Sequence, residues 1–275
     1  MLKKIEINDS VTIFQSKSGL LNSTVLEYSD YLVIIDTLLI PSEINELNLY
    51  IKSRNKQLKY IINTHFHSDH CYGNPVLKQD ATKIIVQECC METLLNERNM
   101  LRKDRAVTID KLKILPPDVS FYDSFDVDNN IRILHSPGHT PDSTIVYLEN
   151  EQILIAGDTV LNGDGITIPY FYWGNPFQLL ESIKRIQTYG FKTLIPGHGQ
   201  PNNGDKLYQD ILYLTNLIMI GERLISSKKL ISEEQFLSLI PASECIPGTK
   251  QEDYWVYKMH ELNVLKLYRL LSEKL

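Results

Sequence analysis

His65-Phe66-His67-Ser68-Asp69-His70 places three imidazoles and a carboxylate within six residues, directly after the β-rich run Lys59-Tyr60-Ile61-Ile62. Imidazole and carboxylate are the donors that zinc accepts, and a loop following a buried strand lets close neighbours in sequence face different metals. A lone H-x-H arises by chance or as a surface pair. The full H-x-H-x-D-H behind a strand is far more specific.

Three further pieces follow in order: Ser136-Pro137-Gly138-His139-Thr140, Ala156-Gly157-Asp158-Thr159 and Pro196-Gly197-His198-Gly199. Each reads as one ligand-type side chain in a glycine-bearing turn after an apolar strand, where sites on rigid scaffolds tend to lie. Singly, each suits a cap or a turn equally well. With the first motif they supply seven ligands, enough for two metals with a position open to water.

The surrounding pattern alternates strands and helices. Strand-like runs are read at Val11 to Phe14, Asn22 to Tyr28, Tyr31 to Ile35, Lys83 to Val86, Ile131 to Leu134, Thr144 to Leu148, Gln152 to Ile155 and Lys192 to Ile195. Ser42 is read as the N-cap of a helix from Glu43 to Arg54 with Ile44, Leu47 and Ile51 on one face. Asn175, Pro176 and Gly190 bracket another, whose apolar face reads as Phe177, Leu180, Ile183 and Ile186. After Gly204 the strands stop: helices are expected over Lys206 to Ser226, after Ser232 with Gln235 in capping-box position, and over Asp253 to Leu275. The expected organisation is a domain over residues 1–204 and a helical C-terminal extension over 205–275 packed on it.

Composition limits the function classes. The 275 residues carry 28 basic and 34 acidic side chains, a net charge of −6, without a Lys/Arg run that could track a phosphate backbone, so nucleic acid is not the expected partner. No window approaches the ~18 apolar residues of a membrane span, and no apolar segment follows the charged first residues; no membrane association and a cytoplasmic location are expected. Cys71, Cys89, Cys90 and Cys245 form no C-x-x-C pair and read as small buried hydrophobes, with Cys71 notable for following His70.

The four pieces, in this order, resemble the metallo-β-lactamase superfamily of hydrolases, over about residues 10 to 205. The resemblance implies an α/β fold, an αββα sandwich with its site at one edge of the two sheets. Carried over by residue, it implies that His65, His67 and His139 bind one metal, that Asp69, His70 and His198 bind a second, and that Asp158 bridges them. Two Zn2+ are the implied cofactors, other divalent metals being compatible with the donors. Two zinc ions ~3.5 to 4 Å apart can share a hydroxide, since metal binding lowers the pKa of water to about 7. Asp69 and Asp158 are the catalytic carboxylates of this reading, fixing the geometry and partly offsetting the positive charge.

The implied activity is cleavage of an ester, lactone, thioester or amide bond in a small molecule; the alternatives are a phosphodiesterase of the same fold and a catalytically inactive metal-binding protein. Asp158 stands where many dedicated zinc β-lactamases have a Cys ligand, and His67 where flavodiiron relatives have Glu. Thr159, Val160 and Leu161 lack the Tyr of quorum-signal lactonases, and Pro141, Asp142 and Ser143 replace the second Gly-His pair of glyoxalase II enzymes. Tyr170, Tyr172 and Trp173 are candidate pocket residues for an apolar or ring-shaped substrate, and equally suit a cover over the helix from Pro176. His135 and His260 fall in no ligand motif and read as structural. The segment Tyr208, Ile211, Leu212, Leu214, Thr215, Leu217 and Ile218 reads as apolar over most of one helix and, with a similar pattern over Tyr254 to Leu271, requires burial against the sandwich or against a second copy in a homodimer. The extension is expected to shape the entrance to the site.

Overall fold

The structure is a computed structural model that describes residues 1–91, 115–128, 130–163, 167–227, 231–246 and 254–273. It divides into two compact units, Met1–His135 with Asp142–Glu149 and Ser136–Pro141 with Asn150–Leu275.

In the first unit, seven strands form one sheet in chain order: β1 (Lys3–Glu6), β2 (Val11–Gln15), β3 (Asn22–Glu27), β4 (Tyr31–Ile35), β5 (Gln57–Ile62), β6 (Lys83–Gln87) and β7 (Val119–Phe121). The first four are antiparallel, and β4 through β7 run parallel. The change of direction follows from the connections. Short turns join β1 to β4, whereas helix α1 (Pro41–Ser53) carries the chain back from β4 to β5 as a parallel crossover. Parallel strands covered on both faces read as continuous apolar runs, and Leu32, Val33, Ile34, Ile35, Ile61 and Ile62 are all buried. Strands β8 (Ser124–Asp126), β9 (Ile131–His135) and β10 (Thr144–Leu148) form an antiparallel set in the same unit.

The expected face of α1 is the buried one, Ile44, Leu47 and Ile51, but its start is not at Ser42. Ile40 occupies the N-cap position without a side-chain cap, and Pro41 takes the first turn, where its missing N–H costs nothing. Two one-turn helices, α2 (Ser68–Cys71) and α3 (Asn74–Leu77), follow β5. Asp69 and His70 therefore sit on helix α2 rather than on the expected loop.

The second unit holds β11 (Ile153–Asn162) and β12 (Thr193–Gly199), a parallel pair linked through α4 (Pro176–Ile186). Both strands run further than their apolar segments predict, so that Asp158 and His198 lie within strands, not in turns behind them. The ladder slips between Ile155 and Gly157 and again between Gly157 and Leu161, and this irregular stretch carries Asp158. Asn175 caps α4 as expected, accepting from the Phe177 and Gln178 N–H groups at 2.9 and 3.3 Å. The buried stripe is Leu179, Ser182, Ile183 and Ile186, so Phe177 and Leu180 are flank residues rather than core.

The C-terminal helices of this unit are α5 (Asp205–Ser226), α6 (Glu233–Ser238), α7 (Ala242–Cys245) and α8 (Tyr254–Ser272). Ser232 and Gln235 form the expected capping box on α6. The ends of the last helix expected at Asp253 and Leu275 lie outside the described residues. Helix α5 packs on α4, α7, α8 and β11, burying Leu207, Asp210, Tyr213, Leu214, Leu217, Ile218 and Gly221. Tyr208, expected in that face, is 69% exposed. The register was hidden because Lys206 and Asp210, an ion pair, occupy buried positions that an apolar count assigns to solvent. No helix among the described residues is long and apolar enough to cross a membrane.

Candidate metal centre

In the first unit the chain leaves β5 at Ile62 and enters the ligand motif under tight control. Asn63 donates through Nδ2 to the His70 carbonyl at 2.8 Å, and the Thr37 N–H donates to the same carbonyl at 2.9 Å. The Thr64 carbonyl accepts from the N–H and Oγ1 of Thr144, tying the motif to the start of β10.

Asp36, the residue directly after β4, organises this half. Asp36 is 2% exposed and adopts a left-handed φ of 61°, a conformation that Asp tolerates better than most side chains. Its Oδ1 accepts from the Thr64 N–H at 2.8 Å, while its Oδ2 accepts from Thr64 Oγ1 at 2.8 Å and faces His70 Nδ1 at 2.8 Å. A carboxylate on Nδ1 fixes the tautomer and leaves Nε2 as the ligand atom. His65 is treated alike at one remove, since its Nδ1 lies 3.1 Å from Thr64 Oγ1 and its Nε2 lies 2.9 Å from His67 Nδ1. Asp69 is the more accessible carboxylate, 29% exposed at its side chain, with Oδ2 3.8 Å from His70 Nε2. The available signal was an acid closing an apolar strand one connection ahead of a histidine motif. Cys71 is a buried thiol that donates to the Phe66 carbonyl, as its reading as a small core residue requires.

In the second unit, His139, Asp158 and His198 come together. His139 Nε2 and His198 Nε2 lie 3.5 and 3.6 Å from the same oxygen, Asp158 Oδ2. Two ligands each 2.0–2.1 Å from a tetrahedral zinc stand roughly 3.3 Å apart, so this spacing fits a shared coordination sphere better than a hydrogen bond. Glycine makes the approach feasible. A Cβ on Gly197 would stand 1.9 Å from Asp158 Oδ1, and Gly138, at φ +139°, lies so close to α4 that a Cβ would meet the Leu179 nitrogen at 2.2 Å.

His139 is aimed by a backbone group: its Nδ1 donates to the Tyr170 carbonyl at 2.6 Å. Tyr170 was singled out for its ring, and that ring stands 6.1 Å from the His139 ring, with burial pushing its hydroxyl pKa up to about 12. Tyr172 and Trp173 are half-buried and meet edge to face at 5.6 Å. His135 ends β9, and His260 is buried in α8 among hydrogen-bond partners.

The residues present thus fit divalent metal: His65, His70 and His139 each have their Nδ1 engaged by the protein, and carboxylates stand beside the imidazoles in each unit. Among known proteins, a family model described as the metallo-beta-lactamase superfamily matches residues 19–198. A hydroxyacylglutathione hydrolase of Pelagibacter ubique is 30% identical over 155 residues, covering 56% of this chain and 57% of that protein. The chain spans about half the length of the first sequence relatives it matches. A metallo-beta-lactamase from Pontibacter korlensis superposes at TM-score 0.63 with 22% identity, over 78% of this chain and all of that one. An inverting sec-alkylsulfatase from a Pseudomonas species superposes at TM-score 0.75 with 17% identity, over 98% of this chain and 50% of that one. These structural likenesses establish the α/β fold, helical C-terminal part included.

Proposed function

The chain belongs to the metallo-beta-lactamase superfamily, and from that premise we propose that it is a metal-dependent hydrolase of a small molecule carrying an ester, lactone, thioester or amide bond. The metal ligands of this reading are His65, His67, Asp69, His70, His139, Asp158 and His198. The observation that carries this reading is the convergence of His139 and His198 on Asp158 Oδ2. Residues 1–204 are taken as the catalytic domain and 205–275 as its helical extension, a boundary supported by the end of the family match at residue 198.

Two divalent ions, zinc by the donor set, would supply Lewis acidity toward the scissile carbonyl and ionisation of water near neutral pH. The protein's own work is orientation. Asp36 and Thr64 hold the far nitrogens of His70 and His65, and the Tyr170 carbonyl holds that of His139. Asp158 supplies an anion where imidazoles converge, and Asp69 supplies a second, more accessible one. Tyr170, Tyr172 and Trp173 would offer the substrate an apolar wall.

The test is metal analysis of protein purified without chelator, joined to a screen of the zinc-loaded protein against thioester, lactone, β-lactam, phosphodiester and sulfate-ester substrates. About two metals per chain and turnover of a carboxylic ester, lactone, thioester or amide are expected. A firm metal content of zero would sink the assignment, and turnover of a phosphodiester alone would favour the alternative chemistry. Metal without turnover would favour an inactive binding protein.

A further inference from the structure

The carbonyl that orients His139 belongs to a segment with no regular secondary structure, and a carbonyl in such a segment is a useful anchor only if something fixes it. What fixes it is a side chain of the C-terminal helix α8. Asn263, fully buried, accepts the Phe171 N–H on Oδ1 at 3.1 Å and donates from Nδ2 to the Pro169 carbonyl at 2.7 Å. One amide therefore grips the backbone on both sides of Tyr170. Exchanging its oxygen and nitrogen would set donor against donor and acceptor against acceptor, so its orientation is determined.

The amide is itself held. Asn263 Nδ2 also donates to the Tyr213 hydroxyl of α5 at 3.0 Å, which leaves that hydroxyl to donate to His260 Nδ1 at 3.2 Å. His260 then carries its proton on Nε2 and donates it to the Ile240 carbonyl at 2.8 Å. Every member is buried, and each donor has its acceptor. Such networks are costly when incomplete and rigid when complete.

We propose that Asn263 is a positioning residue for His139, acting through the Tyr170 carbonyl, so that the helical extension controls metal affinity as well as stability. The inference rests on reading His139 as a metal ligand. Residues in direct hydrogen bond with a metal ligand alter affinity 10–100-fold when removed, and one peptide intervenes here, so the lower end, about tenfold, is expected.

The experiment compares wild type, Asn263→Leu, Tyr213→Phe and Leu267→Ala. Leu267 is a fully buried residue of α8 that packs against Gly221, and serves as a control for loss of helix packing alone. Two quantities are read besides stability: zinc affinity by competition with a chromophoric chelator, and the hydrogen-bonded Nδ1–H proton resonance of His139. Asn263→Leu should weaken zinc at one site about tenfold and move or broaden the resonance, and Tyr213→Phe should do so to a smaller degree. Leu267→Ala should lower stability and leave both readouts in place. Wild-type zinc affinity and resonance in either folded variant of the network, Tyr213→Phe deciding if Asn263→Leu does not fold, would reduce Asn263 to a structural role. Failure of the metal reading is separately visible, because wild-type protein would then take up no zinc before any variant is made, and the inference would fall with it.

Discussion

The two units aim their histidines by different means. In the first, a buried carboxylate does the work: Asp36 holds His70 directly and His65 through Thr64, and its partners lie only 28 and 34 residues away in sequence. In the second, a neutral carbonyl aims His139, and the side chain that fixes the backbone on both sides of that carbonyl lies 92 and 94 residues further along the chain than the groups it holds. An anion on the far nitrogen raises the basicity of the ligand, whereas a carbonyl fixes direction with little charge. The first unit therefore depends on one residue, and the second on the integrity of a packed network.

The largest effect should come from the second unit's own carboxylate. Asp158→Ala removes the atom on which His139 and His198 converge and should cost more than about 100-fold in metal affinity and rate, beyond the range for orienting residues. His135→Ala, at the end of β9, should leave metal content at the wild-type level. Equal losses in the two proteins, measured by metal analysis and initial rates, would show the ligand assignment to be wrong.

Next in size is Asp36→Asn. Asn tolerates the left-handed backbone and keeps one acceptor oxygen, so the change removes the charge and one acceptor while leaving the side-chain shape. Metal affinity should fall about 10–100-fold, and stability by about 1–3 kcal/mol as a buried donor loses its partner. Chelator competition and urea denaturation give the two numbers. A loss no greater than that from Asn263→Leu would erase the distinction between charged and neutral anchoring.

The smallest effect concerns the buried carboxylate of the C-terminal helices. Burial pushes the pKa of Asp210 up to about 6, against a Lys206 partner that pulls the other way. Between about pH 4 and 6 the folded chain holds a proton there that the unfolded chain has lost, so this group's contribution to stability falls as pH rises through that window. The slope approaches about 1.4 kcal/mol per pH unit at most. Asp210→Asn should flatten it, as read from urea midpoints at pH 4, 5, 6 and 7. An unchanged slope would mean that Asp210 is not desolvated as described.

How much of this the sequence disclosed differs between the units for a physical reason. Four donors in six residues announce themselves, because no structural motif needs H-x-H-x-D-H. His139, Asp158 and His198 were legible only as a set, through their glycines. The short strands β1, β7 and β8 went unread; the ends of the others were legible to within a few residues, except in β11 and β12, where apolar periodicity stops at the glycines while the ladder continues through a bulge. Asp36, Asn263 and the true face of α5 stayed hidden because their roles depend on burial of polar side chains among partners distant in the chain. Periodicity treats every Asp, Asn and Lys as solvent-facing, and here Asp36, Asp210, Lys206 and Asn263 are all buried.

The compactness of the His65–His70 motif also affects the denatured state. Donors separated by tens of residues disperse when a chain unfolds, but four within six residues stay within reach of one another, and the open chain remains a chelator in its own right. Ligand that binds both states stabilises the native one only by the difference. On the metal reading, zinc should raise the unfolding temperature by less than its native affinity alone dictates, and excess zinc during refolding should hold the open chain back as well as reward the folded one.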